Sequence, residues 1–212
     1  AGGGILNNGG SLTLEDVTVQ SCQAIGKGDS LINEHTTLDA LGGGIASLGA
    51  TGNVNVTDSI LTANTALGGN GGNFNNGAGS SARGGSIYFE GSALSINSSR
   101  VEDSSAIGGN GGNQDQNGQT NGGFGGVAQG GGIWIGSGAA TVDKTTFKST
   151  VATGGNSGTG GNGANPGGGA DGGALYSVGN TTITNSTFHL AGATGGNGEG
   201  RRSGLDHRKN HV

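Results

Sequence analysis

The sequence predicts an all-β fold, a parallel β-helix (solenoid) of about five coils with long Gly/Asn-rich loops protruding from one side. Three observations carry this: a recurring GG[GSA][IL] signature, aliphatic residues two apart that align between repeats, and glycine tracts that leave each repeat at the same point. The signature occurs as Gly2-Gly3-Gly4-Ile5, Gly42-Gly43-Gly44-Ile45, Gly84-Gly85-Ser86-Ile87, Gly130-Gly131-Gly132-Ile133 and Gly172-Gly173-Ala174-Leu175. Its aliphatic residues are 40, 42, 46 and 42 positions apart. The repeats therefore span about 2–41, 42–83, 84–129, 130–171 and 172–200 of a single domain, and residues 201–212 are a basic tail or the start of a further insertion.

The first twenty or so residues of each repeat align almost without gaps. One column holds Leu12, Val54, Leu94, Ala140 and Thr181, and two places on stand Leu14, Val56, Ile96, Val142 and Ile183. Five further on come Val19, Leu61, Val101, Phe147 and Phe188, then an alanine in every repeat, Ala24, Ala66, Ala106, Ala152 and Ala193. A period of two is that of a strand with one buried face. Strands are expected at GGGI(L), SLTLEDV and QSCQAI of the first repeat and at the aligned positions elsewhere, three to a coil. Strands so short bury their inner faces only by stacking on the next repeat, about 4.8 Å away, so a single repeat is not expected to fold alone.

Glycine makes up 53 of the 212 residues, yet the chain is not collagen-like. Collagen needs glycine at every third position with abundant proline, and Pro166 is the single proline. Cys22 is the lone cysteine, which rules out an internal disulfide framework and a CxxC metal site. No apolar run approaches 18 residues, so no membrane-spanning helix is expected in this segment. Residues 1–200 carry five basic residues, Lys27, Arg83, Arg100, Lys144 and Lys148, against thirteen acids, whereas residues 201–212 hold four basic residues and Asp206. An acidic, sparsely charged body is a poor match for nucleic acid, whose binding rests on phosphate neutralisation.

The five signatures, together with Leu61-Thr62-Ala63-Asn64 and the looser Phe147-Lys148-Ser149-Thr150 and Phe188-His189-Leu190-Ala191, resemble the GGAI and FxxN repeats of polymorphic outer membrane proteins and autotransporter adhesins. The resemblance covers about residues 2–200. It implies a right-handed, pectin-lyase-like β-helix on a bacterial surface, a hand that the general crossover preference also favours. The asparagine of FxxN is kept only at Asn64, so an inward asparagine ladder is not expected throughout.

Each column alanine is followed by a polar excursion. The tracts are Gly68-Gly69-Asn70-Gly71-Gly72-Asn73, Gly108-Gly109-Asn110-Gly111-Gly112-Asn113, Gly154-Gly155-Asn156 with Gly160-Gly161-Asn162, and Gly195-Gly196-Asn197. Two expectations stand side by side. The tracts are solvated loops, because Gly/Asn/Ser segments bury little and lose much entropy on ordering. Alternatively, GGN triplets match the three-residue turn of a polyproline-II helix, and parallel excursions hydrogen-bond into a layer with asparagine along one face.

Several residue groups invite a functional reading. Leu6, Ala46, Tyr88, Trp134 and Tyr176 share a column, so three aromatics stack on consecutive coils. Exposed, Tyr88, Trp134 and Tyr176 would suit sugar rings; covered by the insertions or turned inward, they would be core. Asp16 and Asp58 share a column with Ser98, Lys144 and Asn185, which fits two oxygen donors for calcium or, more simply, turn residues. Glu15, Asp16, Asp58, Asp143 and Lys144 lie near one turn, but their columns mix with Thr, Ser and Asn, so no catalytic residue is assigned. His35, His189, His207 and His211 form no triad, and the i, i+4 pair His207/His211 lacks a helical context for metal binding. Asn55, Asn97, Asn180 and Asn185 begin N-x-[ST] sequons in or beside turns.

The expectation is a non-catalytic, extracellular or cell-surface structural and adhesive module without cofactor or metal. It is expected to belong to a longer solenoid or to stack end to end on copies of itself, with glycans or a cell surface as further partners. The alternative is a carbohydrate-binding or polysaccharide-processing β-helix. Ice binding would need regular outward threonine pairs, and only Thr182 with Thr184 fits.

Overall fold

The computed structural model describes residues 1–29, 37–73, 76–113, 121–160 and 165–198. The chain winds as a right-handed parallel β-helix of about five coils. The first sheet stacks Ile5–Asn8, Ile45–Leu48, Ile87–Phe89, Ile133–Ile135 and Leu175–Ser177. The second stacks Ser11–Glu15, Asn53–Thr57, Ala93–Asn97, Ala139–Asp143 and Asn180–Thr184. The third holds Thr18–Gln20, Ile60–Thr62, Arg100–Glu102, Thr146–Lys148 and Thr187–His189, and the fourth Gln23–Ile25, Thr65–Leu67, Ser105–Ile107, Val151–Thr153 and Gly192–Thr194. A fifth, of two-residue strands, pairs Ala40–Leu41, Ala82–Arg83, Ala128–Gln129 and Ala170–Asp171 where the excursions return.

The predicted columns are the observed registers. Leu14 pairs with Val56, Val56 with Ile96, Ile96 with Val142 and Val142 with Ile183. Val19, Leu61, Val101, Phe147 and Phe188 are likewise in register, and the Phe147 and Phe188 rings stack at 4.7 Å. Both columns join the Ile45/Ile87/Ile133 column in one core, dry from the second coil to the fourth. A separate core is built of alanine, Ala66, Ala106 and Ala152 against Ala40, Ala82 and Ala128. Only alanine's small side chain lets the outgoing and returning segments approach this closely.

The three-strand coil needs correction. The expected SLTLEDV and QSCQAI segments are each interrupted by a residue with positive φ, and the chain between them forms its own strand. At the first corner stand Asp16, Asp58, Ser98, Lys144 and Asn185, with φ between 48° and 53°; at the second stand Ser21, Ala63, Asp103, Ser149 and Leu190, with φ between 49° and 53°. A third corner is the leading glycine of each signature, Gly2, Gly42, Gly84, Gly130 and Gly172, at φ 59° to 66°. There glycine removes the steric cost of the left-handed conformation. The second signature glycine meets another constraint, since a Cβ on Gly43 would overlap the Gly85 carbonyl and the Thr65 backbone.

A polar residue turns inward after each of the first two corners. Ser59 and Ser99 each accept from the backbone N–H one coil earlier, of Val17 and Ser59, and donate to a carbonyl two residues back. At the second corner the fully buried Asn64 accepts from the Cys22 N–H at 3.0 Å and donates to the Val19 carbonyl at 2.9 Å. Its neighbours in the stack are Cys22, Ser104 and Thr150, so this column is polar but is not an asparagine ladder.

Ile96→Ala is expected to lower the unfolding free energy in urea by about 2–5 kcal/mol. Ile183→Ala, in the same column but at a side chain 42% exposed, is expected to cost clearly less. Equal losses would contradict this packing.

Candidate functional site

The glycine excursions are the chain's most distinctive surface, and they are built arms. None of their described glycines has positive φ, so glycine is not there for a left-handed turn. It is there because backbones touch. A Cβ on Gly109 would overlap the Gly69 carbonyl, one on Gly155 the Gly109 carbonyl, and one on Gly196 the Gly155 carbonyl. Returning arms are packed the same way, Gly126 on Ser80 and Gly168 on Gly126.

The G-G-N triplets beginning at Gly108, Gly111 and Gly154 send their three N–H groups in three directions, and the second arm follows in part. The first glycine donates to the next outgoing arm: Gly68 to the Ile107 carbonyl at 2.7 Å, Gly71 to Asn110 at 2.8 Å, and Gly111 to Asn156 at 2.8 Å. The second donates to a returning arm of the preceding coil, Gly109 to Ser80 at 3.0 Å, Gly112 to Gly77 at 2.8 Å and Gly155 to Gly126 at 2.9 Å. The asparagine N–H donates to the side-chain oxygen of the preceding asparagine, Asn110 to Asn70 Oδ1, Asn156 to Asn110 Oδ1 and Asn197 to Asn156 Oδ1, each at 2.8 Å. A second row runs from Asn73 Oδ1 through Asn113 to Thr159. Contacts recurring every third residue in extended chain are those of polyproline-II helices, here in two hydrogen-bonded layers. The layered alternative therefore describes the arms, with buried glycine inside and exposed asparagine amides outside.

The aromatic column lies on the outer side of the first sheet, in a cluster apart from the main core. It is not an open platform. Tyr88 and Trp134 are 4% and 8% exposed, and their rings stack at 4.5 Å with an interplanar angle of 1°. Trp134 and Tyr176 stack at 6.5 Å. The ring faces thus point along the helix axis into one another; the far face of Tyr88 is toward Ala46, and that of half-buried Tyr176 has no ring beyond it among the described residues. Leu41 and Leu48 pack against the cluster, the chain at Gly136 passes so close that a Cβ would overlap the Trp134 ring, and the Arg83 guanidinium lies 5.6 Å from the Trp134 centroid. Arg83 is held by Asp39 at 2.7 Å. Burial pushes the Tyr88 phenol well above its ordinary range, and a hydrogen bond to Glu90 adds to the shift. Trp134 Nε1 is buried without an acceptor among the described residues.

The acids are dispersed. Asp16, Asp58 and Lys144 are corner residues, as the turn expectation had it. Glu15 and Asp143 stand at the outer edge of the second sheet, in one register with Thr57 and Asn97. Among the described residues no group of three or more His, Cys, Asp or Glu could hold a metal. His189 pairs with Lys148 in the third sheet and is exposed, while His35, His207 and His211 and the basic tail lie outside the described residues. Asn55, Asn97 and Asn180 lie on the second sheet and Asn185 at its corner. Sequence reading did not single out the returning alanines Ala40, Ala82, Ala128 and Ala170 or the Arg83–Asp39 pair, because those positions flank the inserts of unequal length.

Asp143 accepts from Thr184 Oγ1 at 2.6 Å and Asn185 Nδ2 at 2.9 Å, which holds its carboxyl below the usual range. Its NMR titration midpoint is expected below that of an unpaired aspartate and to move upward in Thr184→Ala. A lowered folded pKa stabilises above the unfolded pKa, and that contribution is lost as pH falls through the folded midpoint. For the arms, Gly71 and Gly111 amides are expected to exchange far more slowly than in a free peptide. Gly155→Ala should release Gly111, whereas Gly169→Ala, where a Cβ meets open space, should not; free-peptide exchange in the wild type would contradict the layer.

No protein-family model matches the chain, and neither a curated protein nor a solved structure shows significant similarity to it.

Proposed function

We propose that this chain is a non-catalytic structural and adhesive module of an extracellular or cell surface, whose work is to extend a stiff rod and display its asparagine-covered flank. The observation that carries this reading is the doubled construction: a β-helix with every column in register and, bonded alongside it, a glycine sheath of the same vertical spacing. The resemblance of the signatures to autotransporter-type repeats supports a bacterial surface as the setting. The last described coil leaves Phe188 44% exposed in a column that would accept another coil of the same pattern, later in a longer chain or from another copy. Such a head-to-tail contact is heterologous and grows without closing.

A second reading, carbohydrate binding, has a narrower base. The outer face of Tyr176 has no ring beyond it among the described residues, so a sugar ring would find a stacking partner at that end of the aromatic column.

Electron microscopy over a concentration series is expected to show rods that lengthen with concentration, and Phe188→Asp should shorten them. Particles of one coil-stack length at every concentration, together with no attachment of protein-coated beads to cells, would remove the structural and adhesive reading. Retention on a glycan array that is lost in Trp134→Ala, with circular dichroism unchanged, would favour the second.

A further inference from the structure

The arms contain Asn-Gly steps, the pair in which an asparagine side chain is most readily lost. The reaction is intramolecular. Base removes the proton of the following amide nitrogen, which attacks the asparagine Cγ; the N–Cγ bond forms, the Cγ–Nδ2 bond breaks, and ammonia leaves with a proton. Water then opens the resulting succinimide at either carbonyl, giving an aspartyl or isoaspartyl linkage. Two conditions must be met: the glycine N–H must be open to base, and the side-chain carbonyl must be free to swing onto it.

At Asn70-Gly71 both are denied. The Gly71 N–H donates to the Asn110 carbonyl at 2.8 Å, and Asn70 Oδ1 is held by the Asn110 N–H at 2.8 Å. Asn110-Gly111 is locked by the same two bonds to Asn156. In each case both locks come from the following coil and none from the residue's own arm. At Asn197-Gly198 the backbone still bonds backwards, Asn197 N–H to Asn156 Oδ1 and its carbonyl to the Ser157 N–H. Among the described residues, however, neither Asn197 Oδ1 nor the Gly198 N–H has a partner, and both residues are exposed.

We infer that Asn197, where no further coil covers it, is a spontaneous deamidation site, and that the outgoing Asn70-Gly71 and Asn110-Gly111 steps are shielded from the same reaction by the coil stacked after each. The asparagine ladder thus makes surface durability a property of stacking: a covered asparagine keeps its amide, and an uncovered one converts to a carboxylate.

The test is peptide mapping by mass spectrometry after incubating the folded chain at mildly alkaline pH, dilute enough that copies do not stack on the last coil, with the urea-unfolded chain as the reference for each site. Asn197 is expected within about threefold of its unfolded rate, and Asn70 and Asn110 slower than theirs by on the order of 100-fold, as for any group that reacts only on local opening. Asn70 or Asn110 reacting at unfolded rates, or Asn197 reacting as slowly as they do, would overturn the inference. Gly155→Ala supplies an independent arm, since its Cβ would collide with the Gly109 carbonyl and part the third and fourth arms. Asn110 is then expected to accelerate toward its unfolded rate while Asn70, locked by the third arm alone, stays slow and circular dichroism keeps its strand signal. An unchanged Asn110 rate with Gly111 exchange accelerated would equally overturn it.

Discussion

Parallel backbone pairing imposes one vertical spacing, about 4.8 Å, on everything this chain builds. In the β-helix that spacing brings Ile45, Ile87 and Ile133 into contact as a dry column. In the arms it leaves no room for a side chain between backbones, because the glycine polyproline helices are tethered at both ends to strands with that rise. Glycine ordering is entropically expensive. Here the offset is that most of the triplets' N–H groups find acceptors and buried apolar surface on the strands anchors both ends of the arm.

The same stacking governs what the surface offers. Aromatic rings placed one above another turn their faces to each other, so Tyr88 and Trp134 strengthen the column and present edges outward. The asparagines do the reverse, committing an oxygen to the neighbouring coil and leaving their amide nitrogens on the flank. The flank of the described arms is therefore polar, uncharged and periodic along two directions.

Much of this was legible in the sequence, for identifiable reasons. Inward columns such as Leu14 to Ile183 are visible because β-helix stacking admits no register slip without turning side chains outward. The corners were harder: Ala63, Ser149 and Leu190 adopt positive φ with no residue type in common, so the split of the expected strands leaves no compositional mark. Asp16 and Asp58 are legible as turn residues because aspartate tolerates that conformation. The aromatic column could be placed on a coil, but its covering by Leu41, Leu48 and Gly136 depends on chain segments from three coils. The arms were undecided, since GGN triplets are equally the composition of a flexible linker. What decides for order is the two-layer bonding, which requires returning glycines such as Gly123 and Gly126 that are separated from the outgoing ones by stretches of unequal length.

The triplet geometry also sets a rule for how such a molecule changes over generations. An arm lengthened or shortened by three residues still offers a glycine wherever a neighbouring backbone presses and an asparagine wherever the flank is open. Within the bonded triplets a gain or loss of one or two residues would drive an amide side chain into the glycine layer. Differences that are not multiples of three, such as that between the stretches 66–82 and 152–170, therefore belong outside those triplets, and length can vary between repeats while the architecture is inherited unchanged.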